Sequence, residues 1–567
     1  MRSEGRRFCY WRSVFNVGMD FGKTQAEETR QMLFGKWFLL FSLLCASLCL
    51  TSTMAEGSDL AVDHWAYDYL DRLKVKGLLN SFLNQTRPIP REEVAEAIWE
   101  VFQAAKIGDP RLTEVERSQL EWLQMEFKEE LEHYAPSQLR RERHLFHWSD
   151  PHRGLTLDAV GRSQGTLSSC QGENQRILDT RMEIRARGFL GKELTYAASV
   201  VKGQVNSNLK RVTKNDVGLT EFFNSRGSYA YYDWSHAHLN LRLPWMDLQL
   251  ARQPISWGPG VRGNLALSDQ PPAYDFVQIR ASFHGIKFVH LHGFLFSDVK
   301  TVYQTAEGFI RESYANKYLA AHRLEIGLHS RACLGLTEAI IYGERNLDLA
   351  YLNPLVFFWS AQHSSHDRDN EILSADLRFW PIAGVTLYGA LFLDELYLKK
   401  LFADDARNKI AVQGGVYLVD PMGLRDTDLR LEYARIQPCL YTHKFPVNTY
   451  RHNGVILGHW LEENGDDLYL EARHRLSRNL RIAIQMTRTR QGERGEQPWC
   501  HAESWRYSFL WGIVERTVTL GCTLDVEPIH NFRTAISYKR VDRRNKDHQT
   551  GADEIQHELF LSLIFDY

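Results

Sequence analysis

The sequence has little net charge, few cysteines and almost no long apolar run, and each of these absences excludes a class of protein. Its 567 residues include 68 Lys and Arg against 70 Asp and Glu, so the formal net charge is −2. Such a balance lacks the basic footprint of a nucleic-acid-binding protein. Beyond residue 50 no stretch is apolar for long enough to form a transmembrane helix. A chain that spans a membrane without such helices has to do so as a closed β-barrel.

The eight cysteines define neither a metal site nor a disulfide framework. The cysteines after residue 55 are irregularly spaced and odd in number: Cys170, Cys333, Cys439, Cys500 and Cys522. This pattern differs from those of zinc sites and of disulfide-stapled domains. One disulfide bond is possible in an oxidising compartment, but the sequence does not pair the cysteines. We expect no cofactor, no bound metal and no enzymatic activity, because no carboxylate pair or Ser/His/Asp arrangement is placed for catalysis.

The one apolar run of the sequence has the layout of a secretory signal peptide. Residues 37–50 are almost all apolar, and a small-x-small cleavage site ends at Ala55. The run is short for a membrane anchor. We therefore expect residues 32–55 to be a signal peptide. Residues 1–31 are polar and charged, so we interpret them as a misassigned extension ahead of Met32.

Residues 56–134 predict a small periplasmic domain of three helices. Apolar residues recur there at helical spacing in three stretches, which begin near Trp65, Pro90 and Thr113. Residues 135–154 follow as a polar linker rich in Arg and His.

From about residue 155 the pattern changes to a period of two, which is typical of strands with one apolar face. The clearest example is the last strand, where one face carries Leu559, Leu561, Leu563, Phe565 and Tyr567. Hairpins with short turns alternate with long connections such as residues 204–226 and 254–274. This asymmetry and the terminal aromatic residue are typical of bacterial outer-membrane barrels. Residues 155–567 therefore predict a mainly β fold, a transmembrane antiparallel barrel of about 16–18 strands.

Short polar motifs interrupt the strand pattern between about residues 250 and 400. In chain order they are Trp257-Gly258-Pro259-Gly260, Leu267-Ser268 with two prolines after it, Asn353-Pro354, Asp369-Asn370 and Asp394-Glu395. The ordered set resembles that of the Wzi capsule-assembly family. Asp269-Gln270 depart from the asparagine-rich sequence that usually follows the Leu-Ser motif in this family.

The resemblance to the Wzi family implies a fold and a function. The fold is an outer-membrane barrel of about 18 strands with a helical domain at its periplasmic end. The function is lectin-like and consists of binding or organising capsular or other surface polysaccharide. The side chains expected to contact the glycan are Trp257, Arg262, Arg345, Asp369 and Asn370. Trp257 would stack on a sugar face, and the others would offer hydrogen bonds or charge to an acidic glycan. The alternative is that these residues brace turns and fill the barrel interior.

The helical segment resembles a single S-layer homology module. The matching residues are His64-Trp65-Ala66-Tyr67, Leu73, Gly77-Leu78, Pro88 and Arg91-Glu92-Glu93-Val94. The resemblance implies contact with peptidoglycan or another cell-wall polymer, whereas a plain three-helix bundle would pack against the barrel mouth. The competing function is a porin-like channel tethered to the cell wall by this module. The expected partners are surface polysaccharide, outer-membrane lipid and cell-wall polymer, without nucleic acid.

Histidines recur in pairs along the predicted strands. His236 with His238, and His290 with His292, share a strand face and could meet a metal together. We expect them instead to line a polar lumen. The loop residues His363, His366, Asp367 and Asp369 are the better metal candidate by composition.

Overall fold

A computed structural model of the protein describes residues 58–80, 82–132, 134, 144–306, 308–364, 368–395, 409–495 and 508–567. The predicted signal peptide, the extension before it and residues 135–143 of the predicted linker lie outside these residues. None of the described helices is long and apolar enough to cross a membrane.

Eighteen antiparallel strands close into a barrel, as the sequence predicts. In chain order they are β1 Arg153–Cys170, β2 Glu173–Leu190, β3 Leu194–Ser207, β4 Tyr229–Leu243, β5 Met246–Gln253, β6 Tyr274–Phe283, β7 Ile286–Gln304, β8 Ile310–Leu328, β9 Ala332–Gly343, β10 Asn370–Phe379, β11 Val385–Glu395, β12 Lys409–Val419, β13 Thr427–Ile436, β14 Gly465–Ser477, β15 Leu480–Gln491, β16 Glu515–Ile529, β17 Phe532–Arg544 and β18 Glu554–Asp566. The barrel closes where β18 pairs with β1, with Leu561 opposite Gly165. Two short strands, Phe146–Asp150 and Phe223–Arg226, pair with β1 and β4.

The last strand has the two faces predicted from its alternation. Its outward side chains are exposed: Leu559, Leu561, Leu563 and Phe565. The intervening Phe560, Ser562 and Ile564 point inward and are less exposed. Large apolar side chains are likewise exposed along most other strands. In water this surface would be one very large apolar patch, whereas it suits the hydrocarbon of a membrane.

The two ends of the barrel differ in the length of their connections. At one end the turns are short, as between β2 and β3 or β16 and β17. At the other end long segments join the strands, including residues 254–273, 344–369 and 437–464. Tyr567 lies at the short-turn end, which faces the periplasm in barrels of this kind.

The described residues also form seven helices. They are α1 Ala66–Val75, α2 Arg91–Lys106, α3 Glu114–Glu126, α4 Lys128–Leu131, α5 Lys214–Val217, α6 Leu349–Leu352 and α7 Phe358–Ser364. Helices α1 to α4 pack into a bundle around a core that includes Leu70, Ile98 and Leu123. Thr113 begins α3 with a reciprocal capping box to Glu116, which satisfies two backbone N–H groups. The predicted third helix is thus present, but it divides at Phe127 into α3 and α4.

Buried ion pairs join the helical bundle to the short-turn end of the barrel. Arg72 on α1 donates to Glu116 at 2.6 Å, to Asp420 in the β12–β13 turn and to Asp428 on β13. Lys76 lies 2.8 Å from both Glu116 and Asp420. The Arg72 side chain is only 1% exposed. The bundle therefore packs against the barrel mouth.

A second charged cluster surrounds Asp68 on α1. Its carboxylate lies 2.8 Å from Arg473, 3.8 Å from Arg430 and 3.9 Å from Arg481, all on the barrel wall. Burial alone would raise the pKa of Asp68, but the three arginines together hold it well below its usual value. Because the folded-state pKa is lowered, this contribution to stability is lost only as the pH falls into the acidic range.

Glu92 on α2 is a buried carboxylate with the opposite behaviour. Neither of its side-chain oxygens has a hydrogen-bond partner among the described residues. The nearest cation, Arg242, is 3.8 Å away. Burial therefore raises the pKa of Glu92 to about 7.

We expect Glu92→Gln to remove a pH dependence from the stability of the bundle. The folded chain binds the Glu92 proton more tightly than the unfolded chain, whose pKa is about 4.3. The free energy of unfolding of the wild type should therefore fall as the pH rises from about 4.5 to about 7. At about pH 8 the variant should be more stable by about 1–3 kcal/mol, measured by denaturant unfolding. Glu114→Gln, at an exposed position, should keep the wild-type pH profile, and the same profile in Glu92→Gln would contradict the prediction.

Inserted segments fill one side of the lumen. Inward side chains of the wall pack in one core with residues of the two long segments 254–273 and 437–464. The core includes Leu291, Leu319 and Ile341 from the wall, and Ile255, Trp257, Leu265, Leu440, Tyr441 and Tyr450 from the segments. The amino-terminal chain also enters, because Thr86–Arg87 pairs with Ser256–Trp257. Cys439 in the second segment is disulfide-bonded, whereas Cys170, Cys333 and Cys522 are free.

Candidate functional site

Trp257 and the turn after it lie inside the barrel. The Trp257 side chain is 2% exposed and belongs to the interior core. Its backbone N–H donates to the Leu267 carbonyl at 2.8 Å. Gly258 has a φ of +137°, which side chains rarely adopt, so the chain can leave the strand sharply here. In this conformation protein surrounds the Trp257 ring, and the residue holds the turn in place.

A single carboxylate from the barrel wall fixes the turn that carries Arg262. Glu432 on β13 accepts hydrogen bonds from the backbone N–H of Val261 at 2.7 Å and of Arg262 at 2.9 Å. The Tyr388 hydroxyl donates to the same carboxylate at 2.8 Å. The backbone of Arg262 is thereby held while its side chain extends into the lumen.

Two aromatic rings and a carboxylate surround the Arg262 guanidinium group. Its central carbon lies 5.1 Å from the ring centroid of Trp460 and 5.4 Å from that of Tyr469. Its Nε donates to Asp467 at 3.3 Å, and the side chain remains 34% exposed. We call these four residues the Arg262 cluster. Aromatic faces beside a cation and an acceptor are the groups with which proteins bind sugar rings and their charged substituents.

The Arg262 cluster also contains a buried polar group without a partner. The Trp460 indole N–H has no hydrogen-bond acceptor among the described residues, and Nε2 of the adjacent His459 has no partner there either. Buried polar groups are normally satisfied by protein, water or ligand. The Trp460 ring that carries one of these atoms lies 5.1 Å from the partly exposed Arg262.

Three further arginines face the lumen on β1, β2 and β17. Arg162 lies directly opposite Arg181, and Arg533 lies in the same row beyond Ile564. Within the described part of the chain none of the three forms an ion pair closer than 4.0 Å. Like charges opposite each other in a sheet are unfavourable. Asp179, Glu183 and Asp566 balance part of this charge from more than 4.0 Å away, and the arginines keep room for a closer anionic partner.

Arg345, Asp369 and Asn370 form a structural clamp at the long-loop end, apart from Arg262. Both terminal nitrogens of Arg345 donate to the Asp369 carboxylate at 2.7 Å, and the Tyr351 hydroxyl donates to it at 2.7 Å. The Asp369 side chain is fully buried. Asn370 donates to the Asn448 carbonyl at 2.8 Å. The polar groups of these residues are thus engaged with protein.

The histidine pairs lie on different faces of the wall. His238 faces the lumen, where it accepts the backbone N–H of Asp59 at 3.1 Å. His290 and His292 face outward, because the alternating Val289 and Leu291 belong to the interior core. The expectation of a polar lumen wall was therefore wrong for this pair.

A segment of chain covers that outward polar patch. Residues 344–364, which contain α6 and α7 and which we call the strap, lie over β7, β8 and β9. Phe358 stacks on His322 with a centroid distance of 4.1 Å, and the backbone N–H of Trp359 donates to the Glu338 carboxylate at 3.1 Å. His363 of the predicted metal set is exposed on the strap, whereas His366 and Asp367 lie outside the described residues.

Sequence reasoning missed Trp460 and Tyr469, which supply the aromatic faces of the Arg262 cluster. The period-two pattern of β14 does place Tyr469 on the inward face. Nothing local to Trp460 indicates that its loop folds back into the barrel, so no signal in the sequence connects it with Arg262.

Comparison with known proteins gives one family and one related fold. The family model described as capsule assembly protein Wzi matches residues 175–555. A solved structure described as Wzi, a carbohydrate-binding outer-membrane β-barrel involved in group 1 capsule assembly in Escherichia coli, is 13% identical, with a TM-score of 0.57. The match covers 89% of this chain and 99% of that chain. OccK5 (OpdH) of Pseudomonas aeruginosa is 9% identical over 73% of this chain and 98% of its own, with a TM-score of 0.42. No curated protein matches the chain.

Proposed function

The chain belongs to the Wzi capsule assembly family, and from this premise we propose that it binds surface polysaccharide within an outer-membrane barrel, without catalysis. The observation that carries the proposal is the Arg262 cluster, a partly exposed cation between two aromatic rings in a lumen with unpaired arginines. The related solved barrel is described as carbohydrate-binding. The polysaccharide is held at the cell surface, and the apolar outer face of the barrel contacts outer-membrane lipid.

The residues of the site have distinct roles in this proposal. Arg262 binds an acidic substituent of the glycan, while Trp460 and Tyr469 pack against the sugar rings. Asp467 orients the arginine, and Trp257 holds the turn that presents it. Arg345, Asp369 and Asn370 act at the long-loop end by keeping the strap and its neighbouring loop in place.

An acidic polysaccharide is the ligand class that best fits the charges. Arg162, Arg181 and Arg533 form no ion pair within 4.0 Å among the described residues, although Asp179, Glu183 and Asp566 attract them from further away. Carboxylates of a glycan would add to this attraction and relieve the mutual repulsion of the arginines. Charge-assisted hydrogen bonds of this kind are stronger than those to neutral sugar hydroxyls.

Deletion of the gene tests the proposal in cells. We expect the deletion strain to export as much polysaccharide as the parent but to release it into the medium, so that the cell-bound fraction falls. Complementation with the wild-type gene should restore the cell-bound fraction. An unchanged ratio of bound to released polysaccharide in an encapsulated host would refute the proposed function. The competing porin-like function requires large steady single-channel currents in a planar bilayer, and the filled side of the lumen argues against them.

The helical bundle supports a finer proposal, contact with a cell-wall polymer. It rests on the resemblance of residues 64–94 to an S-layer homology module. Tyr67 and Arg91, two of the matching residues, are used within the bundle, since Arg91 lies 2.9 Å from Glu126. The exposed Lys106 remains for a polymer, whereas Arg111 is engaged with Asp109 at 2.6 Å. Failure of the purified protein to sediment with peptidoglycan sacculi would count against this contact.

A further inference from the structure

Three potential metal ligands meet where the helical bundle approaches the first barrel strand. Glu129 lies on α4, His144 comes shortly before the strand Phe146–Asp150, and His147 lies on that strand. One carboxylate oxygen and one nitrogen from each ring all lie within 4.8 Å of one another. We call these residues the Glu129 cluster. They bring together the last helix of the bundle and the short strand that pairs with β1.

The distances within the Glu129 cluster suit a tetrahedral ion. Oε1 of Glu129 is 3.0 Å from Nδ1 of His147 and 4.0 Å from Nε2 of His144. An ion with bonds of about 2.0–2.1 Å in tetrahedral geometry separates its ligand atoms by about 3.3 Å. The two observed distances lie on either side of this value. Side-chain shifts of less than about 1 Å would therefore complete the geometry.

A carboxylate behind His144 fixes which of its nitrogens can bind metal. Nδ1 of His144 lies 2.8 Å from Oδ1 of Asp158 on β1. An ionised carboxylate can only accept, so Nδ1 carries the proton and Nε2 keeps its lone pair on the side of Glu129. Metal-binding histidines typically donate their other N–H to such a carboxylate. The Thr156 hydroxyl donates to Oε1 of Glu129 at 3.3 Å and lies 3.0 Å from Nδ1 of His147, so a bound ion would replace these two contacts.

The Glu129 cluster lies beside a cavity that is large enough for a hydrated cation and has negative charge on its wall. A cavity of about 680 Å³ opens beside the cluster and is lined by further carboxylates from α3 and the end of the bundle. Glu129 and His147 are 38% and 42% exposed, so an ion can enter from solvent. The nearest basic group, Arg187, is 3.8 Å from the other oxygen of Glu129, Oε2. Oε1 therefore remains directed at the two histidines.

We propose that Glu129, His144 and His147 bind one divalent transition-metal ion, with water as the fourth ligand. Two imidazole nitrogens and a carboxylate oxygen form a donor set that matches Zn²⁺. The ion ties the helical bundle to the short strand Phe146–Asp150, which pairs with β1 on the periplasmic side. The site is separate from the Arg262 cluster and does not depend on polysaccharide binding.

Cobalt substitution tests the site in the full-length protein. Protein purified in detergent with a tag free of histidine, and dialysed against chelator, is titrated with Co²⁺ and then with Zn²⁺. We expect one equivalent of Co²⁺ to give the intense visible bands of tetrahedral coordination, and Zn²⁺ to displace it. His144→Ala, His147→Ala and the double variant should each weaken binding at least about 10-fold. Asp158→Asn should weaken it about 10-fold while keeping the stoichiometry.

His152→Ala is the matched control, because His152 is an exposed histidine in the adjacent turn. It should bind Co²⁺ as the wild type does. Heat-modifiable migration in gels verifies that each variant still forms the barrel. Wild-type protein without tetrahedral bands, or a double variant with wild-type affinity, would overturn the proposal.

Discussion

Replacing Arg72 by alanine is expected to weaken the docking of the helical bundle on the barrel by about 3–5 kcal/mol. Arg72 lies within 4.0 Å of four carboxylates, those of Glu116, Asp420, Asp426 and Asp428, and after the change two other cations of the described residues still form ion pairs with members of this group. Lys76 remains beside the first two, and Arg475 remains 2.6 Å from Asp428. Since the Arg72, Glu116 and Asp428 side chains are almost fully buried, water cannot compensate for the missing guanidinium group.

Denaturant-dependent proteolysis of the bundle measures this loss. Arg478→Ala is the matched control, because Arg478 also joins the barrel to the bundle, 3.1 Å from Glu121, but this pair is exposed. An exposed pair contributes about 1 kcal/mol or less. Arg72→Lys should fall between the two, since it keeps the charge and loses the forked geometry. Equal effects of Arg72→Ala and Arg478→Ala would contradict the prediction. Heat-modifiable migration distinguishes lost docking from a barrel that fails to assemble.

Replacing Arg262 by alanine is expected to weaken binding of an acidic polysaccharide by about 10- to 100-fold. A charge-assisted hydrogen bond contributes about 1.5–3 kcal/mol, and about 1.4 kcal/mol corresponds to a tenfold change. Trp460→Ala should weaken binding as well, because the ring both packs on sugar and supports the arginine. Binding of the wild type should also weaken as salt increases. Titration calorimetry with purified polysaccharide fragments measures these differences.

Two arginines serve as controls for Arg262. Arg252 forms an exposed ion pair with Asp275 on the outer face of the barrel, so Arg252→Ala should bind as the wild type does. Arg345→Ala discriminates between a direct and a supporting role for the clamp. It should lower stability and leave the affinity of the folded protein within a few-fold. Unchanged affinity of a folded Arg262→Ala variant would refute the role of the Arg262 cluster.

The barrel could be predicted from the sequence because the membrane requires alternating apolar residues, a pattern that is visible within each strand. Every strand needs an apolar outer face, so alternation is visible within a few residues, as from Leu559 to Tyr567. The starts of α1, α2 and α3 could also be predicted, since apolar spacing and capping residues mark them near Trp65, Pro90 and Thr113. The strand count of eighteen lies at the upper end of the predicted range.

The candidate site could be predicted only in part, because it is made by loops that fold back into the lumen. Arg262 was identified from the motif around Trp257, but its partners Trp460 and Tyr469 come from a distant part of the chain. Arg345 and Asp369 were identified as polar residues of two separate short motifs, which are 24 residues apart in the sequence. Their mutual hydrogen bonds, which engage them with protein, depend on a fold of the strap that no local pattern specifies.

The strap has a consequence for the order in which the barrel assembles. The outward patch that it covers is contributed by three neighbouring strands, β7, β8 and β9, so the strap has no docking surface until all three are paired. Until it docks, His290, His322 and Glu338 would face hydrocarbon, which is unfavourable for ionisable groups. Once it docks, its own exposed apolar side chains, Leu349, Leu355 and Trp359, face the lipid over this patch. At this patch the lipid contacts the strap and not the strands themselves. We therefore expect β7, β8 and β9 to present an apolar surface to the bilayer only after the strap has docked.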